Sequence, residues 1–169
     1  SRAAGALALR GLDVLQADAY SSDAGMAVSQ FRVVEPDTPV DWGRVIDDIY
    51  QCLQGHLAID ARIAERARVY RRRTALAAKQ VGTSVVFDVE SATDATIIEV
   101  RTEDHIGVLY HLTRTLAEMG LDIRSAKIQT ISNEVVDTFY VTGSGGPTLD
   151  ELHRREIEAA LRYSLMRVE

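Results

Sequence analysis

Apolar residues along this chain recur at two spacings, every second residue or every third and fourth, and the two patterns follow one another in a fixed order. From Thr96 to Thr102, Ile98 and Val100 take one face and Glu99 and Arg101 the other, which predicts a strand. Val108, Leu109, Leu112, Leu116 and Met119 then form the stripe of a helix packed on one side. Gly120 follows, where a left-handed helix stop is easiest for glycine. Asp122 to Ile131 predicts a second strand, and its broken alternation points to a bulge near Arg124. Ser132-Asn133-Glu134 is a hairpin turn. Val135, Asp137, Phe139 and Val141 then alternate with Val136, Thr138 and Tyr140 in a third strand with both faces partly covered. After the break at Gly143-Ser144-Gly145-Gly146-Pro147, Thr148-Leu149-Asp150-Glu151 predicts a capping box. The helix it opens has a buried face of Leu149, Leu152, Ile157, Ala160 and Leu161. Ser164 to Glu169 reads either as a short last strand or as a tail. The order β-α-β-β-α, with or without a final β, is the ferredoxin-like split βαβ pattern.

The same pattern occurs earlier in the chain. Leu116-Ala117-Glu118-Met119-Gly120-Leu121-Asp122-Ile123 matches Leu7-Ala8-Leu9-Arg10-Gly11-Leu12-Asp13-Val14, and each string runs on to an Ala, Ala126 and Ala17. Phe139-Tyr140-Val141 answers Phe31-Arg32-Val33 if the first copy's turn takes one extra residue. This first copy has the end of a helix up to Arg10, strands near Leu12–Tyr20 and Met26–Val34, and a helix capped by Asp41. Val45, Ile46, Ile49, Tyr50 and Leu53 are that helix's expected stripe, and Gly55 its end. A first strand and the loop after it have no counterpart before Arg2. Ser1 is not a Met, and Arg2 to Leu9 already reads as helix interior, so the expectation is a piece of a longer protein.

Between the copies, Ile59, Ile63, Ala67 and Tyr70 keep helical spacing among charged residues. The run Arg71-Arg72-Arg73 reads as the solvated end of that helix ahead of an anion site. Thr83 to Glu90 is a strand, and its short connection favours a hairpin with the strand at Thr96 over a return to the first copy. The expected architecture is α+β: tandem ferredoxin-like βαββαβ units with antiparallel sheets and helices on one face, the first repeat truncated at its N-terminus. Its bounds are 1–57 for the first repeat, 58–82 for a charged helical connector, and 83–169 for the second repeat with its preceding strand. The repeats are not expected to be independent beads.

Composition narrows the function classes. Of 169 residues, 46% are hydrophobic and 26% charged, the balance of an ordinary globular protein. No apolar run approaches a membrane span or the core of a signal peptide. Lone Cys52 excludes an intramolecular disulfide and suits a reducing cytoplasm. A net charge of −6 argues against nucleic acid as partner. His56, His105, His111 and His153 lack metal spacing, so no metal site is expected. Asp47 and Asp48 read as solvent-facing. No catalytic constellation emerges.

The segment from Thr102 to Leu109 stands apart: a strand ends, Gly107 marks the turn, and a helix begins at once. Free N–H groups at such a helix start suit a carboxylate. Asp122 is a candidate acceptor for an ammonium, which together would be the chemistry of amino-acid recognition. The segment reads equally well as an ordinary βα turn with an exposed Asp.

Glu103-Asp104-His105-Ile106-Gly107-Val108-Leu109, followed by Gly120-Leu121-Asp122-Ile123, resembles the ACT domain, whose usual loop is Asp-Arg-Pro-Gly-Leu-Leu. Two such units joined by Glu65-Arg66-Ala67-Arg68-Val69-Tyr70-Arg71-Arg72-Arg73 are similar to the C-terminal region of the bacterial PII uridylyltransferase/uridylyl-removing family. Thr96 to Arg101 and Asp122 to Ile128 also resemble that family's final repeat. The resemblance implies regulation by glutamine and catalysis in upstream nucleotidyltransferase and HD hydrolase domains using Mg and a nucleoside triphosphate. It also implies the PII signal protein as partner, uridylylated or adenylylated, and possible ACT–ACT self-association. Carried over by position, Thr102, Asp104, Ile106, Gly107, Val108 and Leu109 would line the ligand loop with Asp122 and Ile123 opposite. Asp13 and Val14 are the only counterparts in the first repeat. His105-Ile106 replaces Arg-Pro, which removes a rigid constraint on the loop and restores an N–H. Competing readings are a purely structural or oligomerising pair, and the regulatory end of an amino-acid biosynthetic enzyme or alarmone synthetase.

Overall fold

A computed structural model describes residues 2–21, 26–34, 36–74, 82–131 and 133–166. The chain runs α1 (Arg2–Leu9), β1 (Val14–Ser21), β2 (Ala27–Val33), α2 (Trp42–Leu53), α3 (Ile59–Thr74), β3 (Ser84–Asp88), β4 (Thr96–Glu103), α4 (Val108–Glu118), β5 (Asp122–Ile131), β6 (Glu134–Thr142) and α5 (Glu151–Met166). The expected α+β class and ferredoxin-like order are those of the molecule. The side chains of Tyr70 and Arg71-Arg72-Arg73, together with Ser132 and residues 167–169, lie outside what is described.

The strands form one six-stranded antiparallel sheet in the order β2-β1-β5-β6-β4-β3. β3 pairs with β4 as the hairpin reading expects, from Ser84↔Arg101 to Asp88↔Ile97. It thereby fills the sheet position of a fourth strand in the second repeat. The repeats join where β1 meets β5 at Gln16↔Lys127, Ala17↔Ala126 and Asp18↔Ser125. Ala17 and Ala126 are also equivalent positions of the internal repeat, so a local two-fold relation passes between them. Both strands carry the same irregularity: β5 shifts register between Ile123 and Ser125, the bulge expected near Arg124, and β1 shifts between Val14 and Gln16. Gly11 and Gly120, the matched helix stops, share positive φ angles of 70° and 75°.

The core lies between the inner sheet face and α1, α2, α4 and α5, with Ile98, Val100, Leu112, Leu116, Phe139, Val141, Ile157 and Leu161 almost wholly buried. A smaller cluster of Ala6, Cys52, Ile59, Ile63 and Tyr110 gathers where α3 meets α1, α2 and α4. α3 comes closest at two glycines. A Cβ on Gly5 would stand 2.2 Å from Ile59 Cδ1, and one on Gly107 would stand 2.5 Å from Ile63 Cγ2. This second layer explains why Tyr110, Thr113 and Thr115 of α4 are buried as well as the expected stripe.

Four local expectations need correction. On α2 the buried residues are Val45, Asp48 and Cys52, while Ile46 is 61% and Tyr50 62% exposed and Leu53 is also exposed. Asp48, read as solvent-facing, is only 9% exposed, because Arg10 at the end of α1 pairs with it at 2.6 Å and turns that side of α2 inward. The cap of α5 is Asp150, whose Oδ1 accepts from the His153 N–H at 2.8 Å. With the helix starting two residues later than a Thr148 box implies, Leu152 is exposed, and the buried side runs through Ile157, Leu161 and Leu165. Ser164 and Leu165 continue α5 and form neither strand nor tail.

Candidate functional site

The loop between β4 and α4 is held from three sides. The Asp104 N–H donates to the Asn133 carbonyl at 2.8 Å, tying the loop to the β5–β6 hairpin. His105 Nδ1 lies 3.0 Å from the Glu103 carbonyl, and the Val108 N–H donates to the His105 carbonyl at 3.2 Å. Gly107 sits at the helix start with φ 92°, a conformation that glycine adopts at little cost. What approaches its backbone is Ile63 of α3, so the start of α4 faces an apolar side chain of the connector helix.

The sequence-predicted residues divide between two ends of the sheet. Thr102 is buried on the inner face with its hydroxyl 3.1 Å from that of Thr83. Val108 belongs to the core, Leu109 packs against it, Ile106 is half-buried, and Asp104 keeps contact with solvent. Asp122 and Ile123 lie at the far end, where Asp122 pairs in register with Thr142 and its carboxylate meets Arg124 at 3.3 Å. Glu103 pairs with Glu134 at the near end, so strand length places Asp122 roughly 25–30 Å from the loop of its own repeat. The residues that take the position beside the loop are Asp13 and Val14 of the first repeat. β1 runs antiparallel to β5, which carries its beginning to the hairpin end of the sheet. Partial burial raises the pKa of the Asp104 carboxyl, and the charge of Asp13 raises it further against a smaller lowering by His105.

Beside the loop opens a groove of about 660 Å³, with Ile106 at one wall. Leu9 and Arg10 of α1 and Asp48 of α2 form a second wall, and Ala61, Arg62, Glu65, Arg66 and Val69 of α3 the third. Arg66 spans the groove's end by donating to the Leu9 carbonyl at 3.0 Å. Arg10 is held in its charged form by Asp48. The groove thus offers guanidinium groups from Arg10, Arg62 and Arg66, beside the carboxylates of Asp48 and Glu65.

One residue of this region was not singled out in the sequence. Asp137 of β6 is 0% exposed on the inner face, opposite Val100 and Ile128, and neither carboxyl oxygen makes a hydrogen bond of normal geometry. Burial pushes its pKa up to about 8; the Gln129 backbone N–H lowers it somewhat and the charge of Asp104 adds to the rise. The available signal was its place in an otherwise apolar phase of the strand. Arg10, Asp48 and the α3 wall carry no such signal, because they meet only in three dimensions.

No family model matches the chain, and no solved structure matches it. Among curated proteins it is similar to the bifunctional uridylyltransferase/uridylyl-removing enzyme of Cereibacter sphaeroides, 36% identical over 98% of this chain and 18% of the relative. The enzyme of the same name from Ruegeria pomeroyi is 34% identical over 98% of this chain and 18% of its own length. That of Streptomyces coelicolor is 34% identical over 72% of this chain and 14% of its own length. The chain therefore spans less than a fifth of these relatives. Nearly all of it is shared with the first two, and it belongs to the bifunctional uridylyltransferase/uridylyl-removing family as a counterpart of one segment of those enzymes.

Proposed function

We propose that this chain is the regulatory, amino-acid-sensing segment of such an enzyme, built from two ACT-type repeats, and that glutamine is the amino acid sensed. The observation that carries the reading is the groove at the repeat junction, walled by Ile106 of the ligand-type loop and by α1, α2 and α3. Its volume falls in the range of small-molecule sites, roughly 300–1,000 Å³. Arg62 and Arg66 suit the ligand's α-carboxylate. Asp104 and Asp13 lie close enough to repel each other, and an ammonium between them would relieve that repulsion. A ligand there would tie α3 to both repeats, and α3 is the element through which occupancy would reach the rest of an enzyme. Modification of the PII signal protein, whether by uridylyl or adenylyl transfer, and a nucleoside triphosphate with Mg belong to catalytic domains outside this chain.

Titration calorimetry and thermal melting of the chain with L-glutamine test the reading. The expected result is saturable heat and a rise in melting temperature of a few degrees at millimolar glutamine. Arg62→Ala and Arg66→Ala should each weaken binding roughly tenfold, as expected for loss of a charge-assisted hydrogen bond. Neither heat nor shift at millimolar glutamine would refute the reading.

A further inference from the structure

We propose that the outer face of α2, made by Trp42, Ile46, Tyr50 and Leu53, is the surface by which this segment docks on the catalytic part of its enzyme. The proposal rests on the regulatory reading above and deepens it by naming where the sensing segment meets the part it controls.

The four residues recur at the spacing of neighbours on a helix surface, so they form one stripe. Each is more than half exposed. Together they present about 450 Å² of largely apolar surface, within the roughly 300–600 Å² of the largest patch on a monomeric protein, which is often functional. The charged residues of the helix, Arg44, Asp47 and Asp48, lie on its other sides.

The internal repeat shows that the fold does not ask for this stripe. α5 is the counterpart of α2 and opens on the same cap: Asp150 accepts from the His153 N–H as Asp41 accepts from the Arg44 N–H. Aligned on those caps, Ile157 and Leu161 stand where Asp48 and Cys52 do, and all four are buried. Trp42, Ile46 and Tyr50 answer to Glu151, Arg155 and Ala159, which face solvent in the second repeat although β4 and β3 follow β6 in the sheet there. Leu53 answers to Arg162, which donates to the Thr83 carbonyl next to β3. A strand beside the edge strand β2 would thus reach Leu53 at most and leave the other three uncovered. Large apolar residues stand where the sister helix carries charge or a methyl group, and a solvated surface gives no reason for that exchange.

The occupant is the remainder of the enzyme. Relatives that share nearly all of this chain give it 18% of their length, so their other segments are tethered neighbours at high effective concentration. A second copy would instead bring together two bodies that each carry a net charge of −6. A stripe without charge calls for an uncharged, apolar face on the partner. The position also suits a relay. Cys52, on the inner side of α2, gathers with Ile59 and Ile63 of α3 in the smaller core, and Asp48 lines the groove. A ligand that holds α3 therefore acts on α2 from within, while the outer side of α2 holds the catalytic part.

Hydroxyl-radical footprinting read by mass spectrometry compares the whole enzyme with this chain alone at low micromolar concentration. Trp42 and Tyr50 should be oxidised roughly threefold more slowly in the whole enzyme, because a packed interface excludes water; equal rates would overturn the proposal. Protection that grows with concentration in the chain alone would give the face to a second copy and overturn it too. Ile46→Glu combined with Leu53→Glu, both at exposed positions, should leave the melting temperature of the chain alone unchanged and restore fast oxidation of Trp42 in the whole enzyme. Protection that persists in that variant places the contact elsewhere and overturns the assignment. The variant enzyme should keep its glutamine heat while losing the response of its activity to glutamine. Absence of glutamine heat in the wild type refutes the sensing reading alone, and the footprint, which needs no ligand, still decides the docking face.

Discussion

A single buried carboxyl sets an unusual dependence of stability on pH. The folded-state pKa of Asp137 is raised from 3.8 to about 8, so the folded state holds a proton that the unfolded state has already released over that interval. Its contribution is fully present below about pH 4 and is lost as pH rises toward 8, at up to roughly 1.4 kcal/mol per pH unit. Asp104 shifts in the same direction and steepens the lower part of that window. Urea unfolding at stepped pH should therefore show wild-type stability falling between pH 5 and 8. Asp137→Asn should flatten that fall by about 1 kcal/mol per unit; parallel profiles would contradict the assignment. Residue by residue, the sequence was most legible where one neighbour decides the outcome. Gly120 as a helix stop and Asp41 as an N-cap follow from local backbone chemistry, and Asp41 does accept from the Arg44 N–H at 3.1 Å. Asp48 was misread because its partner, Arg10, is distant in sequence.

At the scale of elements, α3 is the piece whose placement the apolar pattern anticipates least. Its spacing predicts a helix with Ile59, Ile63 and Ala67 inward, and these are buried. The pattern does not say that the helix lies across α1 and the start of α4, seated on two residues without side chains. Gly5 lies in the interior of α1, where alanine would ordinarily favour the helix by about 1 kcal/mol. Here the added methyl would meet Ile59 and, at 2.8 Å, the ring of Tyr110, both held in the smaller core. Gly5→Ala should therefore destabilise the chain by about 1–3 kcal/mol, the range for overpacking, against its helix propensity. Combining it with Ile59→Ala should cost less than the sum of the two single changes by more than 0.5 kcal/mol. Strict additivity in chemical denaturation would mean that α3 does not rest on Gly5. The stripe of α2 fails for a related reason: α1 approaches from the side of Asp48 and Cys52, and Arg2 donates to the Cys52 and Leu53 carbonyls at 3.1 and 2.6 Å. Amphipathicity marks a helix and only loosely the direction it will face once charged partners are close.

For the whole molecule, the internal repeat was readable while the way its copies join was not. The repeats were not expected to be independent beads, and they share one sheet through three register pairs between β1 and β5, with Ser125 Oγ donating to Asp18 Oδ1 at 2.7 Å. That seam is short beside the nine register pairs of β5 and β6, yet the candidate site depends on it, since it brings Asp13 to the second repeat's loop. Ala17 stands at its centre, between Phe31 of β2 and Ala126 of β5. Proline there removes an N–H and breaks the ladder on a central strand, while β5 keeps its pairing to β6 and the second repeat retains β3, β4, α4 and α5. The wild type should unfold in a single transition, because the seam and the α3 layer couple the copies. Ala17→Pro should split the melt in two, with the first repeat lost at lower temperature and the second little changed. Hydrogen exchange should place the new, faster-exchanging amides in β1 and β2 and spare β4 and β6. Glutamine should then stabilise the wild type and leave the variant's second transition where it is, because the pocket needs both repeats. A glutamine shift that survives in Ala17→Pro would move the binding site into the second repeat alone and exclude the junction.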